Sequence, residues 1–305
     1  MKRLFCLASI AAFLAACTTT EPTDTTAADV TASKPDKGTL TTTKGSMTLD
    51  AVLASQPDEI KARYKYRNPE ATLKFFGIKP GMTVVEGLPG GGWYSKILIP
   101  YLGPQGHLVG VDYAQSMYPK FGFFSDEFIK AKETWVEDWT GGARDWYGAT
   151  GAEVSAFTFG ELPPEWHGKA DAALMIRAMH NLARFESDGG YLSQALADLY
   201  ASLKPGGILG VVQHQAPDGN SDEWASGSKG YVKKDFLIAQ VEAAGFELVA
   251  ESGINHNHRD QPTEEDLVWR LPPTLITSGD NPAMAEEMKA IGESHRMTLK
   301  FRKPE

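Results

Sequence analysis

Cysteine is almost absent from this 305-residue chain: there are two, Cys6 and Cys17, both within the first 17 residues. Beyond Cys17 no disulfide, thiolate metal site or cysteine nucleophile can form. Long apolar runs are as scarce. Only Leu4–Leu14 approaches one, and it is too short to make a stable transmembrane helix, which excludes a polytopic membrane protein. Net positive charge is missing too, with 30 Lys and Arg against 39 Asp and Glu, or −9 overall. Without a basic stripe no nucleic-acid partner is expected, because phosphate neutralisation dominates that affinity. No internal repeat is apparent. At 42% hydrophobic and 23% charged residues, the composition also excludes collagen, coiled-coil and wholly disordered chains.

What is present begins with an address. Lys2 and Arg3 form a positive segment, Leu4–Leu14 an apolar one, and Ala15-Ala16 the small residues that precede a cleavage site. Leu14-Ala15-Ala16-Cys17 resembles the bacterial lipobox, which implies loss of 1–16 as a signal peptide and lipidation of Cys17. The competing reading is an ordinary signal peptide that contains a cysteine. Loss of Lys2 and Arg3 takes the charge from −9 to −11, so acyl chains, not headgroup attraction, must hold the protein at a membrane. By resemblance to Gram-negative lipoproteins, the non-Asp residue Thr18 implies the periplasmic side of the outer membrane, in the cell envelope. Residues 17–46 are Thr-rich with almost no large apolar side chain, and read as a flexible tether. The folded domain is then 47–305, long enough to bury roughly three-quarters of its unfolded surface in one core.

Within that domain strand and helix patterns alternate. Asp50–Phe76 has helical spacing and stops at Gly77-Ile78-Lys79-Pro80-Gly81. Short apolar runs at Met82–Glu86, His107–Asp112, Glu153–Phe159, Ala170–Ile176, Ile208–Gln213 and Phe246–Ala250 read as strands, and the alternating Arg296–Arg302 as a seventh. Trp93–Tyr101, Asp188–Leu203 and Lys233–Ala244 read as helices, and Glu264-Glu265-Asp266 as the start of another. Apolar strands separated by helices predict a single α/β domain: a doubly wound, mainly parallel seven-stranded sheet with helices on both faces. Two stretches break the rhythm, the aromatic-rich Tyr113–Thr150 and the polar loop Gln215–Tyr231. Both follow strands at the carboxyl end of the sheet, where open α/β folds bind ligands, although packing alone also accounts for the aromatics.

The most informative segment is Val84-Val85-Glu86-Gly87-Leu88-Pro89-Gly90-Gly91-Gly92-Trp93-Tyr94-Ser95. A strand ends in an acid, turns through glycines that permit close backbone approach, and enters a helix whose first N–H groups are free. The dinucleotide fingerprint G-x-G-x-x-G is not met and no Walker A lysine is present, which argues against nicotinamide and triphosphate chemistry. The segment resembles the first motif of the Rossmann-like (class I) S-adenosylmethionine-dependent methyltransferases, in a bacterial branch with a Pro-Gly-Gly-Gly-Trp-Tyr turn. Leu88 stands where the family's first glycine is usual. Val109–Asp112, Asp171–Leu182, Leu203–Gly207 and Ala243–Phe246 resemble later landmarks of the family in order, so the likeness runs from about Leu73 to the C-terminus.

The resemblance implies S-adenosyl-L-methionine as methyl donor. It places Gly90, Gly91 and Gly92 at the methionyl end, Glu86 near the ammonium, and Asp112 on the ribose hydroxyls. By analogy, Phe159–Pro163 with Glu161 would line the adenine. His180 and His214 fall at strand ends and are the candidate catalytic bases, since a near-neutral imidazole suits proton transfer. Arg177 and Asn181 are the candidate substrate contacts. Each has a structural alternative: a helix cap for Asp112, an acid near the loop N–H groups for Glu86, a bonded core histidine for His180 and His214, an ion pair for Arg177. His256-Asn257-His258-Arg259-Asp260 has metal-like spacing but reads as a solvated loop, so no metal is expected.

The expected function is therefore methyl transfer to a small-molecule substrate, with the membrane reached only through the N-terminal lipid. The alternative is a non-catalytic lipoprotein that uses a degenerate methyltransferase fold to bind another ligand or partner. Address and cofactor pull apart, because the cofactor is made in the cytoplasm and the domain would face the periplasm.

Overall fold

The computed structural model describes residues 41–42 and 46–305. The expected signal peptide, Cys17 and most of the tether lie outside the described residues. Thr41–Thr42 pairs antiparallel with Ser46–Met47, so paired structure already precedes the expected boundary at 47.

The long helical stretch expected over Asp50–Phe76 is four short helices: Leu49–Ser55 (α1), Asp58–Lys61, Tyr64–Arg67 and Pro69–Phe76 (α2). Prolines cause two of the three breaks. Pro57 and Pro69 cannot donate to a preceding turn, and each pushes the residue before it out of helical geometry. Gln56 is accordingly extended and Asn68 left-handed at φ 41°.

Seven strands form one sheet: β1 (Thr83–Gly87), β2 (His107–Asp112), β3 (Glu153–Thr158), β4 (Ala170–Ile176), β5 (Leu203–His214), β6 (Glu247–Ser252) and β7 (Arg296–Arg302). Their spatial order is β3-β2-β1-β4-β5-β7-β6. The first five pair in parallel. β7 lies antiparallel between β5 and β6, so the sheet is mixed rather than wholly parallel.

Successive strand residues point to opposite faces, and both faces are covered. Val84, Leu108, Leu174 and Val212 join one buried cluster with Leu73 and Phe76 of α2 and with Ile97 and Leu98 of α3 (Ser95–Leu102). Val85, Val109, Met175 and Val211 join the other, with Leu192 and Leu199 of a helix at Tyr191–Ser202 and Leu237 of one at Lys234–Ala243. Doubly covered strands of this kind read as unbroken apolar runs, as they do here. The segment after β2 folds into a 3-10 turn (Gln115–Phe121), a short helix (Asp126–Ala131) and α4 (Trp135–Tyr147). Glu264-Glu265-Asp266 starts no α-helix. Asp266 instead accepts from Thr263 and Arg270 around a 3-10 turn at Val268–Arg270.

The strand order reverses between β1 and β4. In open α/β sheets, the crevice outside the carboxyl ends of strands at such a point is where ligands bind. The glycine turn and Arg177–Asn181 both leave the sheet there.

Candidate functional site

The two strands at the switch point end in the same unusual way. Leu88 follows β1 with φ 55° and Arg177 follows β4 with φ 61°, both in the left-handed region that branched and long side chains rarely enter. Their backbone N–H groups each extend a ladder, Leu88 to the Val111 carbonyl and Arg177 to that of Val212, both at 2.6 Å. Leu88 thus occupies a conformation natural to the glycine that the motif lacks. That backbone position costs about 1 kcal/mol for a non-glycine residue.

The three glycines after it are not equivalent. A side chain at Gly90 or Gly91 would meet nothing within 4 Å. One at Gly92 would fall 2.3 Å from the ring of Trp146, and Gly92 also has φ 74°. Gly92 is therefore required by the turn and by the tryptophan that α4 lays on it. Gly90 and Gly91 leave the space beside the loop clear for a ligand.

Glu86 is 5% exposed and lies behind the turn, not in front of it. Its carboxylate accepts from the Ser95 hydroxyl at 2.6 Å, which ties β1 to the first residue of α3. Burial pushes its pKa up to about 7, against a smaller downward pull from Ser95. Asp112, at the end of β2, is also buried. It accepts from the Tyr113 N–H at 2.9 Å, the Tyr118 hydroxyl at 2.6 Å and the Lys132 ammonium at 2.8 Å. A carboxylate has about four lone-pair positions, so three are engaged from within the protein. Glu161 accepts from the Thr158 hydroxyl, while Phe159 is buried beneath Gly87 beside Met175.

The β4 and β5 ends bring His180, His214, Asn181 and Arg177 into one region. The two imidazoles lie 5.5 Å apart, and both are buried. Gln213, on β5 next to His214, has its amide nitrogen 3.2 Å from the Gly230 carbonyl and 3.3 Å from His180 Nδ1. Facing a carbonyl, that nitrogen is the NH2 end, so it donates to Nδ1 and leaves the His180 proton on Nε2. Burial lowers the His180 pKa to about 4, and burial with His180 and Arg177 alongside holds His214 well below the usual range. His214 shares a hydrogen bond with Ser294. Trp269 packs edge-on against His180, and the His180 carbonyl abuts Gly227 of the loop after β5. Asn181 donates to the Tyr113 hydroxyl at 2.9 Å.

Arg177 belongs to a larger group that no motif or spacing connects. Arg63, Arg67, Arg177 and Arg296 surround Glu293, whose oxygens lie 3.3 Å from Arg67, 3.2 Å from Arg296 and 3.8 Å from Arg177. Burial pushes Glu293 up, but the arginines, led by Arg296, hold its carboxyl below the usual range. Burial and mutual repulsion bring Arg67 down to about 10 and Arg177 to about 9.

The metal-like stretch is dispersed. Asp260 is fully enclosed, taking hydrogen bonds from Arg270, Tyr231 and the His295 N–H. His256 stacks on His295 at 4.5 Å, with His258 beside them. Among the described residues no group of three His, Cys, Asp or Glu side chains is arranged to hold a metal ion. None of the described helices is long and apolar enough to cross a membrane.

Lys132 and Tyr118 were missed because they approach Asp112 from outside the motif. Lys132 lies 20 positions beyond Asp112, with no spacing rule to connect them. Ser95, two residues after Trp93 at the helix entrance, was the one readable signal.

No protein-family model and no curated protein matches the sequence. Among solved structures, the chain is similar to a SAM-dependent methyltransferase from Aquifex aeolicus, at 16% identity over 81% of this chain and 98% of that one, with a TM-score of 0.45. It is similar to 1,6-didemethyltoxoflavin-N1-methyltransferase from Burkholderia thailandensis, at 15% identity over 84% and 89% of the two chains, TM-score 0.41. It is also similar to the cyclase SpnF, at 17% identity over 78% and 80%, TM-score 0.46. Likeness this distant leaves the activity to be argued from the chain's own residues.

Proposed function

We propose that this chain is an S-adenosylmethionine-dependent methyltransferase acting on a small molecule, carried on a lipid-anchored protein of the bacterial cell envelope. The observation that carries the reading is the pairing at the switch point of an open glycine turn with a strand-end acid. Gly90 and Gly91 leave clear space after β1, and Asp112 ends the neighbouring strand one position beyond the Gly87–Val111 pair. Backbone N–H groups at a helix entrance suit a carboxylate, and a strand-end carboxylate suits a diol. The residues fit the cofactor on one condition: Lys132 must yield its place on Asp112 to the ribose.

When bound, the cofactor supplies a methyl group made electrophilic by its sulfonium. The protein's own work is then alignment and exclusion of water. Trp146 closes one side of the turn over Gly92, while Leu88 packs against the core beneath. Glu86, held by Ser95, supports the turn from behind. A general base works best with a pKa near the operating pH, and His180 at about 4 is far below it. We assign His180 and His214 to orienting an acceptor as neutral imidazoles, with Asn181 fixing Tyr113 between the two halves of the crevice.

One finding favours the second reading, a repurposed fold that binds another ligand: the internal Lys132–Asp112 ion pair already fills the acid that a ribose would use. Calorimetric titration of the chain from Leu40 with S-adenosylhomocysteine separates the two. Micromolar binding that weakens by about 1.5–3 kcal/mol in Asp112→Ala supports the cofactor site. No binding to a folded sample moves the assignment to the repurposed fold.

A further inference from the structure

The arginine cluster is out of electrical balance. Four guanidinium groups face the single carboxylate of Glu293, and Arg67, Arg296 and Glu293 are each less than 5% exposed. Excess charge of one sign, removed from water, is costly unless something pairs with it. Of the other ionisable groups near them, the Tyr94 phenol donates to the Arg67 carbonyl and neutralises nothing, burial keeps His214 neutral, and Asp260, whose charge reaches Arg296, is already paired with Arg270.

The unmet hydrogen-bonding capacity has the same sign. Arg67 Nη1, Arg177 Nε and Trp93 Nε1 are buried and have no acceptor among the described residues. They belong to one neighbourhood, because the Arg67 guanidinium lies 4.5 Å from the centre of the Trp93 ring and shares Glu293 with Arg177. All three are donors. Water, which both donates and accepts, is a poorer match for them than a group that only accepts. The cluster is also reachable from solvent. Glu293 and Arg296 form part of the wall of a cleft of about 400 Å³, whose rim carries Lys65, Arg259 and Lys289. Arg177 itself is one-quarter exposed at the end of β4.

We propose that this cluster binds an oxyanion, a carboxylate or phosphate, and that the small molecule acted on at the switch point is acidic and is held there by its anionic group. The naming of a substrate rests on the methyltransferase reading; the anion site does not. Arginine suits the task because its planar donors match two oxygens at once. Arg177 also holds a left-handed backbone at φ 61°, strain of the kind that collects at ligand sites.

Inorganic phosphate is the probe. Thermal unfolding of the full chain is followed against phosphate, with sodium chloride at matched ionic strength as control. Titration calorimetry is run with and without saturating S-adenosylhomocysteine. The expected result is a phosphate-dependent rise in Tm that chloride does not reproduce, and binding weakened about tenfold in Arg177→Gln. Arg177→Gln itself relieves repulsion, so its Tm in chloride should equal or exceed that of the original chain. Glu293→Gln removes the internal counter-charge and should enlarge the phosphate effect, while Lys289→Gln at the rim should leave it unchanged. Equal stabilisation by chloride, or undiminished binding in Arg177→Gln, overturns the site. Competition by S-adenosylhomocysteine overturns it differently, by showing that the arginines hold the cofactor's own carboxylate. If S-adenosylhomocysteine fails to bind while phosphate binds through Arg177, the methyltransferase reading fails and the anion site stands.

Discussion

Glu86→Gln is the substitution whose consequence follows most directly from the structure. The buried carboxyl titrates near 7 instead of 4.5, so between those pH values the folded state holds a proton that the unfolded state has released. A group with a raised acid pKa makes stability fall as pH rises through that window. The difference of about 2.5 pH units corresponds to roughly 3 kcal/mol lost between pH 4.5 and 7. The buried histidines act in the opposite sense. His180 titrates near 4 rather than 6.5, so its contribution is lost as pH falls through that range. The informative quantity is therefore the difference between the original chain and Glu86→Gln, which keeps the histidines in common. Urea unfolding at half-unit steps from pH 4.5 to 8 should show Glu86→Gln gaining relative stability by about 3 kcal/mol across the window. Parallel profiles would refute the buried-acid argument.

Gly92→Ala should destabilise by about 1–3 kcal/mol in denaturant melts, from its positive φ and its approach to Trp146. Gly91→Ala, which meets nothing, should keep its Tm and lose cofactor affinity; unchanged binding would mean the loop is not approached closely. Lys132→Met should strengthen S-adenosylhomocysteine binding up to about tenfold in calorimetry by freeing Asp112, and weaker binding would show the lysine is part of the site. Asp260→Asn should cost about 3 kcal/mol by denaturation, because it leaves the buried Arg270 charge without its close partner; a change under about 0.5 kcal/mol would show that Asp266 alone suffices.

Much of the scaffold could be read directly from residue pattern. His107–Asp112, Ala170–Ile176 and Arg296–Arg302 are strands with the expected limits, because each is a compact run whose alternate side chains all find a buried face. The helical stretch at Asp50–Phe76 failed because apolar spacing persists across Pro57 and Pro69 while the backbone cannot. β7 was seen as a strand, but its antiparallel place between β5 and β6 depends on which edge remains open, which no local pattern encodes. The helix at Pro282–Ile291, capped by the Asn281 side chain, went unread in a stretch with no buried side chains to set a period.

The site divides in the same way. Motif spacing brought Glu86, Gly90, Gly91, Gly92 and Asp112 to the expected strand ends. Their partners come from elsewhere in the chain: Ser95 and Lys132 on the two acids, Trp146 over Gly92. Those contacts tie Glu86 to the turn and leave Asp112 with about one open lone-pair position. Arg177 was singled out as a lone cation beside a possible substrate. Its company, from Arg63 and Arg67 near the N-terminus to Glu293 and Arg296 near the C-terminus, exists only because the antiparallel β7 returns beside β5.

The most direct test of the central claim is a crystal structure of the chain from Leu40 with S-adenosylhomocysteine. The expected result is density between the Gly90-Gly91 turn and the end of β2, with the ribose on Asp112 and the Lys132 ammonium displaced. Density elsewhere, or a ligand bound while Lys132 keeps its 2.8 Å contact with Asp112, would contradict it.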